Sequence, residues 1–411
     1  MSLVSLGKLG IKYLCFLSRI DRGRMLLSGQ VRQLCAAACF IILPLTLNAQ
    51  SGSPEHTIPA APKAKFLYAA TGDLPNILLF QISSKGGLTG PTYISLPAGS
   101  GPQMVVADPA GKFLFAIEYQ GILAFTIDSQ TGGLTLVPGS PFPTGGAGDF
   151  PTAIGIDPGG NFLYVTIYDR STPLLAGYRI DRMTGVLTPA KYEVVLTFGG
   201  QLPPDPTSIR TDLTGKFIYL VDPASGAIAG YPVDLNNGNI GQVLFPGPFA
   251  AGLGATLISG SADFLYVFAR DQVPSLIGYS VNHWSGRLRP VPGTFFFPRQ
   301  DSAEYITVDS VHNVLYQPNF AGSIAVYKIL HNGALHFVNM TAVGQLMSPE
   351  TLLVDASGAF LFAVGASANY ERAPPQVTSF QIDPITGNLA LAGASQPFDS
   401  LNYYSSLAAV P

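Results

Sequence analysis

Apolar and polar residues alternate along this chain in short runs that recur in a fixed order. A three-residue apolar phrase appears seven times, at Phe66–Tyr68, Phe113–Phe115, Phe162–Tyr164, Phe217–Tyr219, Phe264–Tyr266, Val314–Tyr316 and Phe360–Phe362, with successive copies 46 to 55 residues apart. Repetition at that period marks an array of equivalent small units. In the second copy, Pro102–Ala107 leads into Asp108-Pro109-Ala110-Gly111-Lys112 and then into the apolar run Phe113–Ile117. The order predicts strand, tight hairpin, strand, since Asp and Pro open the turn and Gly supplies the positive φ that a short hairpin needs. Asp157–Asn161, Asp212–Lys216 and Asp355–Ala359 are versions of the same turn.

A second phrase of aromatic, polar and aliphatic residues follows in every unit, for example Phe80–Ile82, Phe125–Ile127, Tyr178–Ile180 and Phe380–Ile382. Its period of two predicts a third strand. Another turn follows, at Asp128–Gly132, Asp181–Gly185 or Asp383–Gly387, and a fourth short strand then begins at Leu134, Leu187 or Leu389. In the fourth unit Pro232 interrupts the second phrase, and because proline has no N–H to donate, a bulge is expected there. With no helical periodicity between the units, the pattern predicts an all-β fold, a seven-bladed β-propeller of four-stranded antiparallel blades. The repeated aromatics are expected to pack between neighbouring blades. Ser405–Val410 reads as a first strand with no second, and Lys65–Ala70 as a second strand with no first. The C-terminal strand is therefore expected to join the N-terminal blade, closing the ring and covering two sheet edges.

Residues before the repeats are of another kind. Arg32 precedes the apolar stretch Leu34–Leu47, which ends at Asn48-Ala49-Gln50, the order of a secretory signal with cleavage after Ala49. Translation is expected to start at Met25, which would leave a short basic region ahead of that stretch. Residues 50–63 read as a flexible linker and residues 64–411 as the propeller. Cys15, Cys35 and Cys39 all lie within residues 1–49, so the exported chain is expected to lack disulfides, thiol catalysis and Cys-based metal sites. Removing that segment leaves 16 basic against 24 acidic residues, a balance that suits solubility and selects no partner. The expectation is a secreted or periplasmic monomer, without nucleic acid and without a membrane span after processing.

Units of the form Asp-Pro-x-Gly-Lys-Phe-Leu-Tyr followed by Tyr-x-Ile-Asp-x-x-Thr-Gly-x-Leu resemble the seven-bladed lactonase-like propellers, which include bacterial 6-phosphogluconolactonase. Tyr164-Val165-Thr166-Ile167 is similar to the Tyr-Val-Thr-Asn phrase of related repeats. The likeness covers residues 65–411 and implies the fold, with hydrolysis of sugar lactones as the implied activity. Enzymatic members carry Pro-His-x-His before one early strand and Asp-Leu-Gly after the next. Here Gln103 and Met104 stand where histidines are expected, and Glu118 stands near the expected Asp.

Ligand sites on such a scaffold belong on the longer loops around the channel mouth. Residues there predicted to bind a ligand are Gln103, Asp169, Arg170, Asp222, Arg270, Arg299 and Glu350. Glu118 and Glu304 are the candidate general bases that would activate water against a lactone carbonyl, with an arginine at the oxyanion. No histidine pair has metal-ligand spacing, so neither a zinc nor a triad site is expected, and no cofactor is expected; an oxygen-ligated calcium on the axis stays open, because seven inner strands can present carbonyls to it. The single tryptophan, Trp284, is expected either to cap adjacent strands or to anchor a protein contact. Three readings follow: an exported scaffold that binds a small molecule or a protein at the channel mouth, a sugar-lactone hydrolase, or a structural envelope component.

Overall fold

The computed structural model describes residues 61–411, apart from 73, 146–149, 169–172, 191–193, 197–205, 207, 245–248, 270–274, 293–304, 320–321, 345, 368–373 and 399–405, and apart from the side chains of 256–258, 346–348 and 366–367 within strands. The predicted signal segment and most of the linker lie outside the described residues. Pro59–Pro411 form one compact unit. Among the described residues every regular element is a strand, arranged in seven antiparallel sheets. Their inner strands are Leu407–Val410, Met104–Ala107, Phe150–Ile156, Ser208–Thr211, Ala255–Gly260, Thr307–Asp309 and Leu346–Val354, for blades 1 to 7 in that order. Each inner strand touches the next around the ring, and that of blade 7 touches that of blade 1.

Closure follows the expected route. Leu407–Val410 pairs antiparallel with Phe66–Ala70, from Phe66 opposite Val410 to Ala69 opposite Leu407. Backbone bonds from Lys65 N to Val410 O (2.8 Å) and from Ala70 N to Ser406 O (3.0 Å) extend the seam at both ends.

The repeated phrases are blade-to-blade fasteners. In each Asp-turn between inner and second strands, a buried carboxylate accepts backbone N–H groups: Asp108 Oδ1 takes Lys112 and Phe113 at 2.6 Å, and Asp157 Oδ1 takes Asn161 and Phe162 at 2.6 Å. That fixes the residue opening the apolar phrase, whose ring then rests on the turn glycine of the following blade. Phe217 packs so close to Gly286 that a Cβ there would lie 2.5 Å from the ring, and Gly286 also has φ 68°. The same contact joins Phe66 to Gly132, Phe113 to Gly185, Phe162 to Gly238, Phe264 to Gly333, Val314 to Gly387 and Phe360 to Gly86. Only glycine meets both demands, of space and of backbone. The third residue of the phrase adds a hydrogen bond: the hydroxyls of Tyr68, Tyr219, Tyr266 and Tyr316 donate to the carbonyls of Gly132, Gly286, Gly333 and Gly387 at 2.6 to 2.9 Å. Blade 7 has Phe362 at that place, and Ser379 Oγ donates to Gly86 O at 2.6 Å instead.

Two expectations are corrected. Pro232 makes no bulge; it stays in register opposite Phe217 at the end of its strand. Its carbonyl accepts from Gly241 N at 2.8 Å on the outer side, where pairing is already reduced to an isolated bridge between Val233 and Ile240, so the missing donor faces an edge that does not need it. Trp284 caps nothing: it is 91% exposed, and Lys216 Nζ lies 5.6 Å from its ring centroid.

Candidate functional site

At the axis a cavity of about 490 Å³ opens among Gly72, Gln103, Met104, Thr152, Tyr305, Thr351, Leu352, Leu353, Ser406 and Leu407. These residues come from five blades, and apolar side chains alternate with amide and hydroxyl groups. A sequence regularity lies behind the polar ones. Five residues before the turn aspartate, or its equivalent, the sequence carries Gln103, Thr152, Thr207, Thr256, Glu304, Glu350 and Ser406, polar in every repeat. Ser406 Oγ accepts from Val105 N at 3.2 Å and donates to Val105 O at 3.3 Å, and Thr152 Oγ1 lies 2.9 Å from Thr166 Oγ1. Thr207, Glu304 and the Thr256 side chain lie outside the described residues.

Glu350 is the chemically distinctive member. The pairing of its strand shifts register between Pro349 and Thr351, so Glu350 occupies a bulge directly before the cavity-lining Thr351. Blade 3 bulges at the same place, between Pro151 and Ala153, which sets Thr152 on the cavity wall. Bulges re-aim side chains in this way at sites and rims. Burial alone raises the Glu350 carboxyl from 4.5 to about 7, and its Oε2 is buried without a hydrogen-bond partner among the described residues. A half-buried carboxyl that titrates near neutrality is the state a general base requires.

Glu118 is the other expected base. It ends the second strand of blade 2, is 3% exposed, and does not line the cavity. Burial raises its pKa, while hydrogen bonds from the Ser100 hydroxyl and the Gly101 N–H oppose the rise. Its Oε2 has no partner among the described residues. Gly101 links it to the cavity, because the Gly101 carbonyl accepts from Gln103 Nε2 at 3.2 Å. Glu118 thus touches the backbone segment that holds the Gln103 amide.

Asp222 also departs from its expected role. Its carboxylate is buried and accepts from Ser225 N at 2.9 Å and from Ser225 Oγ at 2.5 Å, holding its own hairpin. Asp169, Arg170, Arg270, Arg299 and Glu304 lie outside the described residues. Of the predicted set, Gln103 lines the cavity and Glu350 directly precedes the cavity-lining Thr351.

Two histidines brace turns. His283 lies between Asp212 Oδ2 (3.1 Å) and Asp263 Oδ1 (3.2 Å), and His312 Nδ1 is 2.7 Å from Asp309 Oδ2. Among the described residues no cluster of His, Cys, Asp and Glu could hold a metal ion. Sequence reading missed Arg210 in the inner strand of blade 4. It sits between an apolar and a hydroxyl residue in a strand pattern, Ile209 and Thr211, with no motif around it.

The fold and the cavity together define a seven-bladed propeller with an axial cavity lined partly by polar groups and, one residue from that lining, a half-buried carboxyl whose Oε2 has no hydrogen-bond partner among the described residues. A family model described as lactonase, 7-bladed beta-propeller, matches residues 44–249, half of the chain, and the chain belongs to that family. A 6-phosphogluconolactonase of Pectobacterium carotovorum is 23% identical over 239 residues, covering 54% of this chain and 68% of the relative. The counterpart from Pectobacterium atrosepticum matches equally, at 23% over 239 residues with the same coverage. Among solved structures, a Bacteroides uniformis protein superposes with TM-score 0.63 at 19% identity, over 80% of this chain and 95% of that one. The periplasmic gluconolactonase of Pseudomonas aeruginosa superposes with TM-score 0.61 at 17% identity, over 84% of this chain and 100% of that one. These likenesses are of fold.

Proposed function

We propose that the protein is a lactone hydrolase acting at the axial mouth, with Glu350 as the base. The observation that carries this reading is the Glu350 carboxyl, set on a bulge next to the cavity-lining Thr351, with Oε2 unpartnered among the described residues and a pKa of about 7. Ionised Glu350 takes a proton from water as the water oxygen attacks the lactone carbonyl carbon. The ring C–O bond then breaks, and its oxygen leaves with a proton as the new hydroxyl of a hydroxy acid. The Gln103 amide, held by Gly101 O, and the hydroxyls of Thr152, Thr351 and Ser406 are the donors available to the substrate's oxygens. Membership of the lactonase family and relatives named 6-phosphogluconolactonase and gluconolactonase support a sugar lactone as substrate.

A second reading, a binding scaffold without turnover, is favoured by Gln103 and Met104 in the place where enzymatic members are expected to carry histidines. Initial-rate hydrolysis of a panel of aldonolactones, with and without 6-phosphate, separates the two. The hydrolase reading expects turnover above the spontaneous rate, rising with pH through about 7 and falling roughly 100-fold or more in Glu350→Gln. Absence of turnover across the panel, or a Glu350→Gln variant as fast as the parent, would refute it. We also propose export to the periplasm or the medium, on the Arg32 to Ala49 pattern; a mature N-terminus that retains residues 1–49 would refute that.

A further inference from the structure

Among the described residues, the three most exposed large apolar side chains are Trp284 (91%), Ile385 (81%) and Met183 (80%). All three hold the same place in the repeat, the third residue of the turn between third and fourth strands: Asp181-Arg182-Met183, Asn282-His283-Trp284 and Asp383-Pro384-Ile385. The fold does not ask for them. In each turn the side-chain oxygen of the first residue accepts the N–H of the third at 2.8 to 3.0 Å, and the turns of blades 2 and 4 make the same bond with polar Gln130 and Asn236. Blades 3, 5 and 7 are two, two and three places apart in the ring of seven, so the three tips surround the axis on one face. That face is the end of the strands away from the cavity-lining Gln103, Thr152 and Ser406.

Each tip comes with a lysine from the blade before it. Lys112 Nζ donates to the carbonyls of Arg182 (2.8 Å) and Met183 (3.2 Å), and Lys216 Nζ lies 5.6 Å from the Trp284 ring centroid. Lys328 Nζ donates to the carbonyls of Ile385 (3.3 Å) and His312 (2.8 Å). Lys63, Lys65 and Lys85 stand at the same end of their strands, so six of the seven lysines beyond residue 49 belong to this face. The exposed carboxylates here are engaged locally, Asp128, Asp181, Asp234 and Asp383 by N–H groups of their own turns and Asp263 by His283. The chain also enters the ring on this side: Ala64 N donates at 3.3 Å to Asp355 Oδ2, in the turn between inner and second strands of blade 7. The segment that carries Leu34–Leu47 therefore connects to the propeller from this face.

We propose that this turn face docks on a phospholipid bilayer with anionic headgroups, Met183, Trp284 and Ile385 entering the acyl boundary while Lys112, Lys216 and Lys328 meet the phosphates. Three tips around an axis suit a flat partner. Tryptophan favours the layer between apolar and wet regions, and lysine stems lie along apolar surface while the ammonium reaches the headgroups. Docked in this way, the propeller turns its cavity away from the lipid.

Trp284 is the single tryptophan of the chain, so the unsubstituted protein is its own probe. The test uses residues 50–411, which contain the whole compact unit and leave out Leu34–Leu47. Co-sedimentation and tryptophan emission are measured with vesicles of phosphatidylcholine alone and of equal parts phosphatidylcholine and phosphatidylglycerol. The phosphatidylglycerol vesicles should carry the protein down, move its emission to shorter wavelength and, with brominated acyl chains, quench it. Met183→Ser combined with Ile385→Ser should weaken that binding roughly 10- to 100-fold, as two apolar side chains withdrawn from lipid require. Lys112→Gln should weaken it about 5-fold. Leu391→Ser, a change at a 62% exposed residue on the outer strand of blade 7, should leave it unchanged. No binding to the phosphatidylglycerol vesicles, an emission that lipid does not move, or binding that survives the double variant would overturn the proposal. A lipid-independent shift that grows with protein concentration, with dimers in sedimentation velocity, would assign the face to a second copy and overturn it as well.

Discussion

Replacing Glu350 by Gln should stabilise the protein, and only above a defined pH. The carboxyl binds its proton with a pKa of about 7 in the folded chain against 4.5 in the unfolded one, because folding withdraws it from water and leaves its Oε2 without a partner among the described residues. Between those values the folded state holds more protons than the unfolded state, so stability falls as pH rises from 4.5 to about 7 and the penalty is complete above. At about 1.36 kcal/mol per pH unit the gap corresponds to roughly 3.4 kcal/mol, and residual contact with channel water reduces this to about 2 kcal/mol. Glutamine keeps the shape and removes the charge. For a propeller of this size, 2 kcal/mol is worth about 2–3 °C in Tm. The assay is thermal unfolding of wild type and Glu350→Gln from pH 4 to pH 9. The two curves should run parallel at the acid end and separate through the interval, with the variant higher at pH 8. A difference that is flat with pH, or a variant less stable at pH 8 than at pH 4.5 relative to wild type, would refute the assignment of an unpaired carboxyl at the mouth.

Other perturbations probe the ring itself. Gly286→Ala puts a Cβ 2.5 Å from the Phe217 ring at a residue with φ 68°, and should lower stability by about 2–4 kcal/mol, read from thermal unfolding; an unchanged Tm would show that the contact yields freely. Tyr219→Phe removes the 2.8 Å bond to Gly286 O and should cost about 1 kcal/mol by the same measurement; an unchanged Tm would show that the bond adds nothing to the blade contact. Deleting residues 401–411 strips the inner strand from blade 1 and exposes the edge of Phe66–Ala70. It should abolish the monomer peak on size exclusion, and a well-behaved truncated monomer would count against closure through this seam.

Architecture was legible in the sequence because the residues that build it repeat. Phe217 and Gly286 do one job in every blade, so their period survives where individual contacts vary. The site was legible only in part. Glu118 stands near a position where the resemblance implies a carboxylate, and nothing in its spacing reveals that Gly101 and Gln103 lie between it and the cavity. Asp222 looks like a loop charge until Ser225 is seen to hold it. The polar ring left a signal that counting back from each turn aspartate would have found, but its members differ in chemistry from blade to blade and do not read as a motif.

The seam between Phe66–Ala70 and Leu407–Val410 joins residues 344 positions apart, from Phe66 to Val410. Bringing the ends of so long a loop together costs about 5 kcal/mol in chain entropy, whereas the hairpins within a blade close over a few residues. Four residue pairs hold that loop shut. The propeller therefore resembles a bracelet with a single clasp: blades can form one after another as the chain is made, but the circle locks last. Mechanical pulling on the two ends, or a protease searching for an opening, would meet the clasp before it met any blade.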